Sequence, residues 1–202
     1  GWVAKQMGLP IARIIVATNS NDIMARAFEE GRYARGVVAA TQSPAMDIQI
    51  ASNFERLYYE TARRDGVETS RAFRAFTETG VLDLPPAALA TMKELFSGAS
   101  VTEDDTARTI LSTLNETGEV IDPHTAVAVA AAHRATLPDG MPLVVLSTAH
   151  PAKFPEAVQA ATGAAPPTPA SARRLDGKAE RFDRLPADAD AIKTYIRDFA
   201  SK

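Results

Sequence analysis

Apolar residues fall along this chain in two kinds of run, and their alternation predicts its architecture. Short runs rich in β-branched residues, IARIIVAT at 11–18 and LVVL at 143–146, are too brief for helix cores. They read as strands buried on both faces of a parallel sheet. Each run ends abruptly in a polar cluster: Asn19, Ser20, Asn21 and Asp22 after the first, and Ser147, Thr148, His150 and Lys153 after the second. Longer stretches repeat apolar positions at three- and four-residue steps and read as amphipathic helices. One is predicted over 48–64, with Ile50, Phe54, Leu57, Tyr58 and Ala62 on its buried face. A second starts at Thr102 with acidic residues in its first turn, where the helix dipole favours them, and stops at Gly118. A third, HTAVAVAAAHRAT, has side chains small enough to lie close against a sheet, with His124 at its N-terminus and His133 well inside.

Punctuation residues divide these elements. GWVAKQMGLP reads as the last turns of a helix, with Gly8 in the left-handed position and Pro10 as a stop. An opening midway through such a helix predicts a piece of a longer chain. Asn21 or Asp22 suits the cap of the next helix, and Asp47, after the turn at Ser43-Pro44, suits another. Between residues 66 and 105 the pattern is helical and locally connected, with a start at Leu84-Pro85-Pro86 and a stop at Gly98. Residues 1–65 and 119–163 are thus expected to form one α/β domain interrupted by a helical insertion at 66–118. APPTPASARR then breaks all periodicity, so 164–202 reads as an extended linker and a last helix with Ile192, Tyr195, Ile196 and Phe199 on one face.

Composition narrows the function classes. Of the 202 residues 46% are hydrophobic and 23% charged, enough for a real core. A net charge of -3 gives no basic field of the kind nucleic acid requires. No run of about 18 apolar residues marks a membrane span. The absence of cysteine removes disulfides and thiolate chemistry and is compatible with the cytoplasm. No metal-ligand spacing occurs.

In open parallel sheets, ligands bind beyond the carboxyl ends of the strands, where helix N-termini offer unpaired N–H groups. The two polar clusters therefore mark a candidate site edge. Taken singly, each hydroxyl or amide there also suits a purely local turn or cap. A hydrolase using Ser147 and His150 is disfavoured, because the glycine-rich nucleophile elbow is missing.

Four segments, VATNSND, SPAMDIQIASNFERL, VIDPHTAVA and LSTAHPAKF, closely resemble those of threonine synthases. These are fold-type-II pyridoxal-phosphate enzymes that convert O-phosphohomoserine to threonine and phosphate. The resemblance implies an α/β fold of the tryptophan synthase β type, here an incomplete parallel-sheet domain with a helical insertion and a helical tail. It implies that Thr148, with Ser147 beside it, partners the ring nitrogen of the cofactor, and that Asn19, Asn21 and Asp22 line the cofactor pocket. Lys153, His150 and His124 are then expected on the substrate side, Lys153 as a cation for the phosphate. Two family features are missing: the Ser-Phe-Lys-Asp-like segment with the cofactor lysine, and the Gly-Asn-Phe-Gly-like phosphate loop. By resemblance, the partner of this chain is the amino-terminal part of the same protein, and the chain alone is expected to be inactive. The alternative reading is a non-catalytic α/β ligand-binding or regulatory module.

Overall fold

Pro10 and the bonding of Ile11 decide where the first strand starts. Ile11 donates its N–H to Leu9 and accepts from Lys5 Nζ (2.6 Å), so it is unavailable to a ladder. Strand β1 therefore covers Ile14–Thr18, preceded by helix α1 (Trp2–Gln6) and a turn through Gly8 at φ +96°. The computed structural model describes residues 1–201. In chain order there follow α2 (Ile23–Glu30), β2 (Arg32–Ala34), α3 (Phe54–Thr61), α4 (Gly66–Thr79), β3 (Val81–Asp83) and α5 (Pro86–Lys93). Then come β4 (Phe96–Ser100), α6 (Glu103–Thr117), α7 (Pro123–His133) and α8 (Pro155–Thr162). These elements make one compact unit over Gly1–Pro167.

β1 and β4 pair in parallel, with Ile14 opposite Phe96 and Thr18 opposite Ser100. Side chains alternate across such a ladder. Val16 and Phe96 accordingly pack into a core with Phe28, Tyr33, Phe54, Tyr58 and Phe76, while Ile15, Ala17 and Ala99 pack against Val101, Val127, Ala130 and Ala131. The sheet thus has α2 on one face and α7 on the other, as the continuous apolar run of β1 requires. β2 and β3 form a separate antiparallel ribbon, and it presents Tyr33 to Phe54 and Phe76 at 4.5 and 4.7 Å between ring centres.

Several expectations need correction. The helix predicted over 48–64 is confined to α3. Upstream, Gln49 Oε1 accepts from Gly36 N–H (3.1 Å) and Tyr33 Oη accepts from Ala51 N–H (2.7 Å), and these bonds tie 49–51 to the end of β2. Downstream, Arg63 and Arg64 adopt left-handed φ angles of 55° and 61°. Ile50 is consequently exposed. The stretch 66–118 contains β3 and β4 as well as helices, and Gly98 lies in the middle of β4 instead of ending a helix. The strand predicted at 143–146 does not form: Val144 and Leu146 are 78% and 72% exposed, and the segment is irregular. A strand exists only as part of a ladder, and among the described residues no partner pairs with this one.

α6 and α7 are read correctly. Thr102 Oγ1 accepts from Asp105 N–H (3.2 Å), and Gly118 closes α6 in the left-handed conformation. Asp105 also receives hydrogen bonds from Arg108 and from Arg134 at the end of α7, and Arg134 Nη1 donates to Ser100 O (3.0 Å). Hydrogen bonds from Thr102, Arg108 and Arg134 hold the Asp105 carboxyl down at about 2. A carboxyl depressed in the folded state adds stability above its unfolded value near 3.8, lost as pH falls toward 2. Carbon-13 titration is expected to place Asp105 at about 2, and higher in Arg134→Ala. A carboxyl titrating near 3.8 in both proteins would disprove the staple.

The second unit, Thr168–Lys202, contains α9 (Ala170–Arg173) and α10 (Ala189–Ala200). Asp188 caps α10 by accepting from Ala191 N–H (2.7 Å), and Tyr195 stacks on Phe199, but no residue of α10 is buried. No helix among the described residues is long and apolar enough to cross a membrane.

Candidate cofactor-facing site

The carboxyl ends of β1 and β4 are locked together by Val101 N–H to Thr18 O (2.9 Å) and Ser100 Oγ to Asn19 O (3.3 Å). Asn19 emerges from this joint fully buried. Its Oδ1 accepts from the backbone and side-chain N–H of Asn21, and its Nδ2 reaches Thr41 Oγ1 (2.7 Å), Ser43 Oγ (3.0 Å) and Asp47 Oδ1 (2.8 Å). Asn21 exchanges two bonds with the backbone of Ala39 and donates to Asp47 Oδ1 (3.0 Å). Asp47 also accepts from Thr41 N–H (2.9 Å) and Thr41 Oγ1 (2.6 Å). A carboxylate expected to cap a helix is instead the hub of a polar network that holds the loop 41–47 against the sheet edge.

A second cluster grips the same loop from α7. Asp122, fully buried, accepts from His124 N–H (2.9 Å) and lies 2.8 Å from His124 Nδ1. The other ring nitrogen, Nε2, accepts from Ala45 N–H (3.1 Å), and Phe154 packs on the ring at 4.6 Å. Both nitrogens are thus engaged, and the ring proton sits on Nδ1. Thr125 donates to Asp122, and Ser147 Oγ lies 3.4 Å from Thr125 Oγ1.

The predicted residues therefore divide. Asn19 and Asn21 share one network; His124 and Ser147 share another; both networks meet at the loop 41–47. Lys153 borders a cleft of about 760 Å³ together with Thr41, Gln42, Glu103 and Phe154. Asp22 stands apart, paired with Arg26 (2.8 Å), and makes no side-chain cap. His150 Nδ1 accepts from Ala152 N–H (3.1 Å) and caps a short turn at Pro151–Lys153. Thr148 is exposed, and its hydroxyl makes no hydrogen bond among the described residues. Thr41, Ser43 and Asp122 carry no functional signal in the sequence: Ser43 reads as a turn residue, and Asp122 as the cap of α7 that it is, accepting from the N–H groups of His124 and Thr125.

A pyridoxal-type cofactor needs a lysine, a nest of N–H groups for its phosphate and a ring-nitrogen partner. Thr148 fits the last, since its hydroxyl is free. The loop does not offer the nest, because the N–H groups of Thr41, Gln42, Ser43 and Ala45 are accepted by Asp47, Glu103, Thr41 and His124. By this test the Thr148 hydroxyl suits the ring nitrogen, and the loop 41–47 does not suit the phosphate.

Residues 125–196 match the family model "Threonine synthase, C-terminal". The whole chain is 36% identical to threonine synthase of Pseudomonas aeruginosa, and 98% of it aligns with that of Corynebacterium glutamicum, also at 36%. The chain belongs to the threonine synthase family. A pyridoxal-phosphate-bound threonine synthase from Brucella melitensis superposes on all of it with a TM-score of 0.91 at 42% identity, and the yeast threonine synthase with 0.84 at 32%. The α/β fold is therefore that of the fold-type-II threonine synthases. The chain spans 43% and 42% of the two bacterial relatives and 43% and 45% of the two solved chains.

Proposed function

We propose that this chain is the carboxyl-terminal part of a threonine synthase that converts O-phospho-L-homoserine and water to L-threonine and phosphate with pyridoxal phosphate, and that it is inactive alone. The observation that carries the proposal is the fit of the entire chain to less than half of a cofactor-bound threonine synthase. Bound pyridoxal phosphate supplies an electron sink for charge developing on carbons next to the substrate amine. Thr148 would hold the ring nitrogen by a hydrogen bond from its neutral hydroxyl, which would keep that nitrogen unprotonated. Ser147, Asn19 and Asn21 shape the cofactor side of the site. Lys153 and His150 face the substrate, and the Lys153 ammonium stabilises the departing phosphate.

The exposed run 143–146 supports an amino-terminal partner, since four apolar residues are otherwise left without a ladder. In the complete polypeptide the amides of 143–146 are expected to be protected from hydrogen exchange, and in the isolated chain they are expected to exchange freely. Cofactor-dependent threonine formation by the isolated chain would refute the proposal. In the complete polypeptide, Thr148→Val deletes the hydroxyl while preserving shape. Its expected effect is a roughly ten- to hundredfold drop in turnover with an altered cofactor absorption spectrum. Unchanged rate and spectrum would mean that another group holds the ring nitrogen.

A further inference from the structure

The geometry points to His124 as a positioning residue that sets the loop 41–47, and not as a group that touches substrate. This inference rests on the proposed threonine synthase reaction. Three observations carry it. His124 is 5% exposed, and its two ring nitrogens are taken by Asp122 and by Ala45 N–H, so no ring atom is left for a ligand. Ala45 lies between Ser43 and Asp47, which are tied to Asn19, and follows Thr41 and Gln42, which border the Lys153 cleft. The Asp122 carboxylate that orients His124 also accepts from Thr125, whose hydroxyl neighbours Ser147. One buried carboxylate therefore fixes the loop through His124 and, through Thr125, borders the segment next to Thr148.

The pairing needs an acceptor at the outer ring nitrogen. Glutamine places its amide oxygen near that position, whereas asparagine reaches only the inner nitrogen's place and leaves Ala45 N–H without its side-chain acceptor. The test compares His124→Gln with His124→Asn in the complete polypeptide. Hydrogen exchange of the peptide covering 41–47 is read without substrate, and kcat and KM are read with O-phosphohomoserine. Each variant loses one of the two ring bonds, so a matched thermal stability would exclude global loosening as the cause of any difference. Expected for His124→Asn are faster exchange across 41–47 and a KM raised roughly tenfold, with kcat changed by no more than about threefold. His124→Gln is expected to keep both exchange and KM near those of the unmodified protein. Equal behaviour of the two variants would overturn the inference. So would a raised KM without faster exchange, which would place His124 on the substrate itself. Absence of turnover in the unmodified polypeptide would defeat the reaction assignment instead, and the exchange comparison would still decide the positioning role.

Discussion

Asp47→Ala is expected to destabilise the protein by about 3 kcal/mol, a fall in Tm of roughly 6–12 °C for a chain of this size. The carboxylate accepts from Asn19 Nδ2, Asn21 Nδ2, Thr41 N–H and Thr41 Oγ1, and Asn19 and Asn21 are both buried. A buried donor left without a partner forfeits about 1–3 kcal/mol, whereas a made hydrogen bond contributes only about 1. The penalty therefore comes from the stranded amides more than from the bonds removed. Asn19 Nδ2 retains Ser43 Oγ and Thr41 Oγ1 as alternatives, which keeps the sum below four full penalties. Asp47→Asn should fall between the two proteins, since its oxygen still accepts from Asn19, Asn21 and Thr41 Oγ1 while its NH2 faces Thr41 N–H. Thermal unfolding followed by circular dichroism checks the order. An alanine variant as stable as the parent would show that water replaces the carboxylate and that the network does not hold the loop.

That network shows where sequence reading stopped. Thr102 and Gly118 bound α6 as predicted, because a cap and a left-handed stop depend on a few neighbouring residues. Asn21, Asp22 and Asp47 carry the same local signal, yet none makes the side-chain cap expected of it. Their partners lie beyond the neighbouring turn: Ala39 for Asn21, and Asn19, together with Thr41 of the same loop, for Asp47. Asp22 does find a neighbour, but in Arg26 one turn on. Capping and long-range bridging use the same short polar side chains, so composition alone does not separate them. His124 illustrates the same limit. Its place at a helix start was legible, but its bond to Ala45 joins residues 79 positions apart.

The two strand expectations failed or succeeded for one reason. β1 was visible because its apolar run is covered on both faces within the chain, by Phe28 and Phe54 on one side and Val127 on the other. The run at 143–146 has the same β-branched character, but apolar pattern records what a segment is able to bury and not whether a partner is at hand. β4 was missed for the opposite reason. FSGAS has one large apolar residue, so it lacks the strand signal, and its glycine imitates a helix stop. Smallness there is a packing requirement of α2.

Gly98→Ala is expected to cost about 2–3 kcal/mol, and Gly98→Val more, because there is no room for a side chain at this point of β4. A Cβ would lie 2.5 Å from Ala25 Cα, 2.8 Å from Ala25 O and 3.1 Å from Ala25 C. All three are main-chain atoms of α2, so no side-chain rotation relieves the clash. Gly98 is not in a left-handed conformation, and removing a glycine from such a position would by itself stabilise by about 0.4–1 kcal/mol through the unfolded state. The steric term must exceed that gain, and with separations this far below contact it does. Relief requires either α2 to lift from β4 or the strand to shift, and each loosens the Phe28–Phe96 stack at 5.6 Å. Ala25→Gly should not rescue the variant, since the clash is with backbone that glycine also has. Thermal melts of the single and double variants test this. A rescued double variant, or a Gly98→Ala protein as stable as the parent, would mean that α2 and β4 are further apart in solution.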